Sequence, residues 1–280
     1  MTLLSTGSAG ILKTEQVGPL IIEPIKAASI AFQISSNVDT SSPSFRLPRV
    51  VADAGVGWYA EGADLTPTDP TVDELVITPS KAAALVKISQ ELADDSSPAA
   101  AAVVGDGLAR NLAKAIDVAF FGDTISDGPS GLLHVSGVQH VDAGSSIDDL
   151  DVFAEAKSKL ENVGSVATAF VASAATVLAL SQLKTFGGDT TSNLPLLGSD
   201  PASATGRTIL GVPLYSVPNT TIADGTIWAL DKAKSFVVLR EGVQIEADRS
   251  FYFGPHSIAL RAVVRVGFGW PHEAAVVKIS

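Results

Sequence analysis

The stretch GWYAEGADLTPTDPTVDELVIT, from Gly57 to Thr78, places the tightest limit on how this chain can fold. It reads as two short strands on either side of a polar tip at 62–70, and the prolines in the tip prevent either strand from continuing. A hairpin of two strands is only marginally stable in water. We therefore expect this hairpin, assigned to 51–81, to need another surface for support.

The hairpin also cannot neutralise its own charge. Between positions 52 and 80 there are six carboxylates and no Lys, Arg or His. The six acidic residues are Asp53, Glu61, Asp64, Asp69, Asp73 and Glu74. Cationic partners must come from another part of the chain or from another molecule.

Four basic residues are candidates for receiving this charge. They are Arg46 and Arg49 on the N-terminal side, and Arg110 and Lys114 further along the chain. Exposed ion pairs contribute only about 0–1 kcal/mol each. We therefore expect apolar contacts by Trp58, Leu65 and Ile77 to supply most of the affinity, with a neighbouring copy of the subunit as the partner.

Composition excludes several classes of function. The chain has 280 residues, 46% hydrophobic and 18% charged, which is ordinary for a globular protein with ample core. A net charge of −11 with no basic patch argues against sequence-specific nucleic-acid binding and against avid binding to anionic membranes. Cysteine is absent, so disulfides and thiolate metal sites are excluded. No secretory signal or membrane-spanning stretch is predicted.

A long helix is predicted from about residue 98 to residue 121. Ser97 is suited to cap it, Pro98 to occupy its first position, and Gly122 to end it. Apolar residues at a spacing of four form a single stripe. The stripe consists of Val104, Leu108, Leu112, Ile116 and Phe120. A long helix with one apolar stripe is a structural support, and we call it the spine helix.

The remaining pattern is a mixture of helices and strands. Residues 1–50 are rich in Gly and Pro and predict an extended arm with one helical piece. A second helix is predicted from near Ser146 to Gly164, and TAFVAS followed by AATVLALSQL predicts a strand and then a helix. The clearest strand is 258–268, where apolar residues alternate strictly.

Catalytic motifs are hard to find. Ser130 and His134 lie close together in DGPSGLLH, but a Gly-Pro turn explains these residues more simply than a nucleophile and base do. Asp148, Asp149 and Asp151 precede a helix and complement its dipole better than they would hold calcium. The histidines show no metal-ligand spacing. The sequence thus predicts no catalytic, cofactor-binding or metal-binding residue.

Several segments, in this order, resemble the major capsid proteins of tailed bacteriophages, which have the Hong Kong ninety-seven fold. WYAEGADLTPTDPTVDELVITPSKAAALVKISQELADDS is similar to the family's extended loop and the strand that follows it. LARNLAKAIDVAFFGD, with Asp117 and Gly122, and the later GPSGLL resemble the end of the spine helix and the next turn. AFVASAATVLALSQLKTFGG, GVPLYSVPN and RAVVRVGFGWPHEAAVVKIS resemble later parts of the fold.

The resemblance implies an α+β subunit with four parts. These are an N-terminal arm (1–50), an extended loop (51–81), a discontinuous peripheral domain (82–165 and 256–280) and an axial domain (166–255). It further implies that subunits form hexamers and pentamers of an icosahedral virion shell around double-stranded DNA, assembled in the bacterial cytoplasm. No cofactor is implied.

Two departures from the family change what we expect. Only a short arm precedes the fold, so a scaffolding protein is expected to be a separate chain, alongside a portal protein and decoration proteins. Residues 52–80 contain no lysine, so covalent cross-linking through this loop is not expected. Two alternatives stay open: an encapsulin-type nanocompartment shell, which shares the fold, and, more distantly, a hydrolase using Ser130 and His134.

Overall fold

The computed structural model describes residues 23–52, 55–60, 62, 64, 68–89, 99–144, 146–185, 195–197, 206–248 and 256–280. The helices are α1 (Glu23–Ala28), α2 (Ile30–Ile34), α3 (Ala99–Phe121), α4 (Asp151–Asn162) and α5 (Ala174–Gln182). The strands are β1 (Ser36–Thr40), β2 (Phe45–Ala52), β3 (Thr71–Ile77), β4 (Ser80–Ser89), β5 (Gln139–Val141), β6 (Ala169–Ser173), β7 (Thr208–Ile209), β8 (Val212–Val217), β9 (Ile227–Leu230), β10 (Phe236–Asp248), β11 (Ser257–Gly269) and β12 (Val276–Ile279). Single-turn 3-10 helices lie at Leu132–His134, Lys232–Lys234 and Glu273–Ala275.

These strands form separate sheets. A four-stranded sheet has the order β1-β10-β11-β4, with β1 parallel to β10 and the other pairs antiparallel. A six-stranded mixed sheet has the order β5-β12-β9-β6-β8-β7. Strands β2 and β3 pair only with each other. Helices and strands thus follow one another irregularly along the chain, as expected for a protein of the α+β class.

Two hydrophobic cores hold these elements together. In the first, the stripe of the spine helix (α3) packs with the inner face of the four-stranded sheet and with α1 and α2. Phe120 meets Phe268 edge to face, with ring centroids 5.1 Å apart. In the second, α4 and α5 cover the six-stranded sheet, and Phe153 meets Phe170 in the same geometry at 5.2 Å. The spine helix is therefore the support of the first core.

Most element predictions are confirmed. The spine helix ends at Phe121, immediately before Gly122, and Leu108, Leu112, Ile116 and Phe120 are all buried. The strand at 80–89, the strand and helix at 169–182 and the long strand at 257–269 are present. Ser97 and Pro98 lie outside the described residues. The stripe at spacing four was sufficient to identify the buried side of this helix.

The start of the second helix was predicted wrongly. Helix α4 begins at Asp151 rather than near Ser146. The Ser146 hydroxyl donates to the Asp148 carboxylate at 3.0 Å, and the Asp149 carboxylate accepts from the Asp151 amide at 3.0 Å. These short-range bonds hold the polar residues in a turn, which competes with helix formation.

The hairpin is longer than predicted, and its first strand was misplaced. Strand β2 pairs with β3 from Phe45 opposite Ile77 to Ala52 opposite Thr71, so the hairpin begins within the segment assigned to the arm. Residues 57–60, predicted as strand, have no regular structure. Pro48 lies within β2, and a hairpin that belongs to no larger sheet has edges that tolerate proline.

The sheets do not follow the predicted domain boundaries. Strand β10 falls in the segment assigned to the axial domain, yet it lies in the four-stranded sheet beside β11. Strand β12 falls in the segment assigned to the peripheral domain, yet it pairs with β9 in the six-stranded sheet. The division of the chain into an arm, a loop, a peripheral domain and an axial domain stays a prediction.

Candidate assembly surfaces

Two carboxylates of the hairpin are neutralised within the hairpin. The Arg49 guanidinium donates to one Asp73 oxygen from Nη2 at 2.7 Å and from Nε at 3.0 Å. Arg46 Nη1 lies 3.1 Å from Glu74 Oε2. The hydrogen bond from Arg49, with a smaller contribution from the Glu74 amide, lowers the pKa of Asp73. Two of the four candidate cations, Arg46 and Arg49, thus pair with Glu74 and Asp73 within the same subunit and not in a neighbouring copy, because β2 brings both arginines into register with β3.

The base of the hairpin rests on its own subunit. Ile77 is only 3% exposed and lies over Gly267 of β11, where an added Cβ would come 2.9 Å from Ile77 Cγ2. At Gly269 an added Cβ would lie 3.3 Å from Leu75 Cδ2. Because Gly267 and Gly269 have no side chains, Ile77 and Leu75 of β3 can pack directly on the backbone of β11. Ile77 was expected to contact a neighbouring copy, and the structure corrects this, since its side chain is buried within the subunit.

From here the tip of the hairpin means residues 53–70, between β2 and β3, rather than 62–70 alone, and each tip residue that the structure describes is exposed. Trp58 is 105% exposed and Val56 is 98% exposed. Asp64 and Asp69 are also exposed. Asp53, Glu61 and Leu65 lie outside the described residues. Neither Asp64 nor Asp69 forms an ion pair with a described residue. A fully exposed tryptophan near such carboxylates is unusual for an isolated subunit and is typical of a contact surface.

One face of the paired strands is exposed as well. Val50 stands opposite Val72 in the register, and the two are 59% and 62% exposed. Val76, on the same face, is 49% exposed. A two-stranded hairpin with exposed valines on one face is the kind of element that gains stability from an added layer.

The two remaining cationic candidates lie on the spine helix. Arg110 and Lys114 are both exposed, and neither forms an ion pair with a described residue. They lie one turn apart on the solvent side, away from the buried stripe. The structure does not bring either of them together with the hairpin of the same subunit.

A buried carboxylate, which the sequence marked only through the family resemblance, joins the arm to the spine helix. Asp117 is 7% exposed and accepts hydrogen bonds from Ser29 Oγ at 2.6 Å, the Ala31 amide at 3.0 Å and the Ile30 amide at 3.1 Å. Burial raises its pKa, although the three donors oppose this. The signal in the sequence was an acidic residue next to Ile116, on the buried side of the helix.

Ser130 and His134 do not form a catalytic pair. His134 Nδ1 lies 3.0 Å from Thr124 Oγ1 and 3.2 Å from Asp123 Oδ1, while Ser130 Oγ lies 3.4 Å from Thr124 Oγ1. Both residues line a crevice of about 460 Å³ beneath the hairpin base. The bonds tie together the turn after the spine helix, as the turn interpretation predicts.

Within the described ranges, no cluster of three or more His, Asp or Glu is placed to hold a metal ion. No helix in the described portion is long and apolar enough to span a membrane.

Solved structures of similar fold come from capsids and phages. The capsid of an empty GTA particle matches 100% of this chain and 94% of its own, with a TM-score of 0.74 and 21% identity. A structure from Mycobacterium phage Adephagia matches over 90% and 89%, with a TM-score of 0.72 and 14% identity. One from Microbacterium phage Oxtober96 matches over 90% of both chains, with a TM-score of 0.68 and 19% identity.

These likenesses define the class: the chain has the Hong Kong ninety-seven fold of phage capsid subunits. The model of the phage capsid family matches residues 9–280, and the chain belongs to this family. A comparison with curated protein sequences gives no match. Family membership confirms that the chain is a structural shell protein of a phage capsid rather than an enzyme.

Proposed function

We propose that this chain is the major subunit of an icosahedral shell, in which hexamers and pentamers enclose double-stranded DNA. The exposed hairpin tip carries the proposal, because Trp58, Asp64 and Asp69 are exposed there and neither carboxylate forms an ion pair with a described residue. Membership of the phage capsid family supports this role. A net charge of −11 suits a container wall, which must not grip its genome tightly.

Further partners follow from this role. We propose that a separate scaffolding protein, a portal protein and decoration proteins act with the shell. The arm, loop, peripheral and axial division is retained as the working description of the subunit. Trp58, Glu61, Asp64, Leu65 and Asp69 are proposed to lie at the contact between subunits.

Electron microscopy of the purified protein tests the proposal. Expressed alone or with its phage partners, the full chain is expected to give closed shells or ring-shaped capsomers. Light scattering that showed only a stable 28.7 kDa monomer under both conditions would contradict it. Nuclease-protected DNA inside the shells supports a phage or phage-like particle, whereas a packaged enzyme would indicate a nanocompartment instead.

The mature shell is expected to be held by non-covalent contacts. The chain has no cysteine, and residues 52–80 contain no lysine that could form an isopeptide bond. Shells boiled in detergent should therefore release one band at the mass of a single chain on a denaturing gel. A ladder of covalent oligomers, persisting in the presence of reductant, would show that another residue supplies a cross-link.

A further inference from the structure

Strand β4 (Ser80–Ser89) forms one edge of the four-stranded sheet, because β11 is its only strand partner in the described part of the chain. No other described strand has so long an edge without a partner. The edge strand on the opposite side, β1, is five residues long, and β2 and β3 are eight and seven. A free edge presents unpaired backbone N–H and C=O groups and can therefore receive another strand.

Both faces of β4 carry apolar side chains that its own subunit leaves partly uncovered. On the inner face, toward the first core, Ala82 and Ala84 are only half-buried, as are the larger Val86 and Ile88 that follow. Their counterparts across β11, Ala262 and Val264, are fully buried. On the outer face Leu85 is 57% exposed. A strand added at this edge would therefore bury apolar surface on both faces as well as pair the backbone.

A second copy of β4 fits this edge because the pattern of the strand is self-complementary. Two identical edges related by a twofold axis pair antiparallel. When the axis passes through Leu85, Ala84 stands opposite the partner's Val86 and Ala82 stands opposite the partner's Ile88. Each inner pair thus sets a small side chain against a larger one, so both fit between the strands without a clash.

The lysines of the outer face distinguish this register from the next one. With the axis at Ala84, Lys81 would stand directly opposite the partner's Lys87, and like charges in that position destabilise a sheet. With the axis at Leu85, each lysine stands opposite an uncharged residue, Ser89 or Ala83. Registers further along the strand pair fewer residues. Lys87 also interacts within its own subunit, so the pairing does not require a free lysine.

The edge has none of the other features that prevent strands from pairing. Natural edge strands are protected by proline, by bulges or by short length, as well as by lysine. Strand β4 has ten residues and no proline, and it pairs with β11 without a register shift. Its lysines therefore select a register and leave the middle of the edge open.

We propose that two copies of this chain pair antiparallel through their β4 edges across a twofold axis at Leu85, so that their four-stranded sheets become one continuous sheet. The inference rests on the proposed function, since an icosahedral shell places twofold axes between its subunits. The paired segment, 81–89, spans about 30 Å. The lysines of the two copies come near each other diagonally, so the contact should strengthen with salt.

Cysteine cross-linking tests the pairing, because the chain has no cysteine of its own. Leu85→Cys places two thiols opposite each other at the axis, with Cα atoms about 4.5–5.5 Å apart, a distance that a disulfide spans. Mild oxidation of assembled shells should move most chains to a band at twice the mass of one chain on a non-reducing gel. Reductant should reverse the shift. The side chain is exposed, so the variant is expected to fold.

Ala83→Cys is the matched control, on the same face and two residues from the axis. Its thiol stands opposite the partner's Lys87, so this variant alone should give little dimer. Ala83→Cys combined with Lys87→Cys should give dimers, because both disulfides then join the same two chains. A head-to-tail contact through the same strand would instead link each chain to two neighbours and give a ladder of larger oligomers.

The outcomes separate this inference from the proposed function. Little dimer from both Leu85→Cys and the double variant would overturn the inference and show that the lysines keep the edge unpaired. As much dimer from Ala83→Cys as from Leu85→Cys would overturn the register, and a ladder would overturn the twofold axis. Wild-type chains that form no shell would overturn the proposed function. The pairing would fall with it only if Leu85→Cys also gave no dimer in concentrated, unassembled subunits.

Discussion

Deleting Gly62–Pro70 is expected to abolish shell formation while leaving the subunit folded. The deletion removes the end of the tip and keeps the pairing from Phe45 opposite Ile77 to Ala52 opposite Thr71. It also keeps the base of the hairpin on Gly267 and Gly269. The residues of 62–70 that the structure describes are exposed, so their removal should change the free energy of unfolding of the subunit only slightly. Circular dichroism and electron microscopy give the two readouts.

The effect should be large because each shell repeats the contact many times. A single docked tip contributes modest affinity, but closure multiplies it over all subunits. As a control, a Gly-Ser segment of equal length in place of 62–70 separates the chemistry of the tip from its length. That replacement should also fail to form shells. Normal shells from the deletion would show that residues 62–70 have no role in assembly, and normal shells from the Gly-Ser variant alone would show that their length matters but their side chains do not.

The sequence predicted the elements better than it predicted their contacts. Strict alternation identified β11, and a stripe at spacing four identified the buried side of the spine helix, because both patterns reflect burial along one element. The pairing of β2 with β3 depends on a long-range register instead. Arg49 was recognised as a candidate cation, but its position opposite Asp73 could not be derived from spacing alone.

The candidate assembly surfaces were predicted only in part. The acidic composition of the loop identified the hairpin as an exposed, dependent element. Ile77 was misassigned, because the two glycines that receive it lie about 190 residues later in the chain, so only the folded β11 brings them together.

Replacing Asp117 with alanine is expected to destabilise the subunit by about 3 kcal/mol. The change leaves the Ser29 hydroxyl and the amides of Ile30 and Ala31 without their acceptor in a buried site. It also removes the hydrogen bonds that hold the start of α2 to the spine helix, and Phe32 of α2 packs in the first core. Urea unfolding of unassembled subunits measures the loss, and faster proteolysis within the arm should accompany it.

Asp106→Ala is the matched control, because Asp106 lies on the same helix but is exposed. It should change the free energy of unfolding by less than about 0.5 kcal/mol. Equal effects of the two substitutions would mean that loss of helix charge, and not loss of the buried acceptor, explains the result.

The pH dependence of the Asp117 contribution gives the last test. Burial raises the pKa of Asp117 in the folded subunit above its unfolded value of about 3.9, so folding favours the protonated carboxyl. Its contribution to stability is therefore greatest below the unfolded pKa and declines as the pH rises through the folded pKa. The stability advantage of wild type over Asp117→Asn should shrink across this window and then become constant. An advantage that grew with pH would show that the three donors outweigh burial and that the folded carboxylate is held charged.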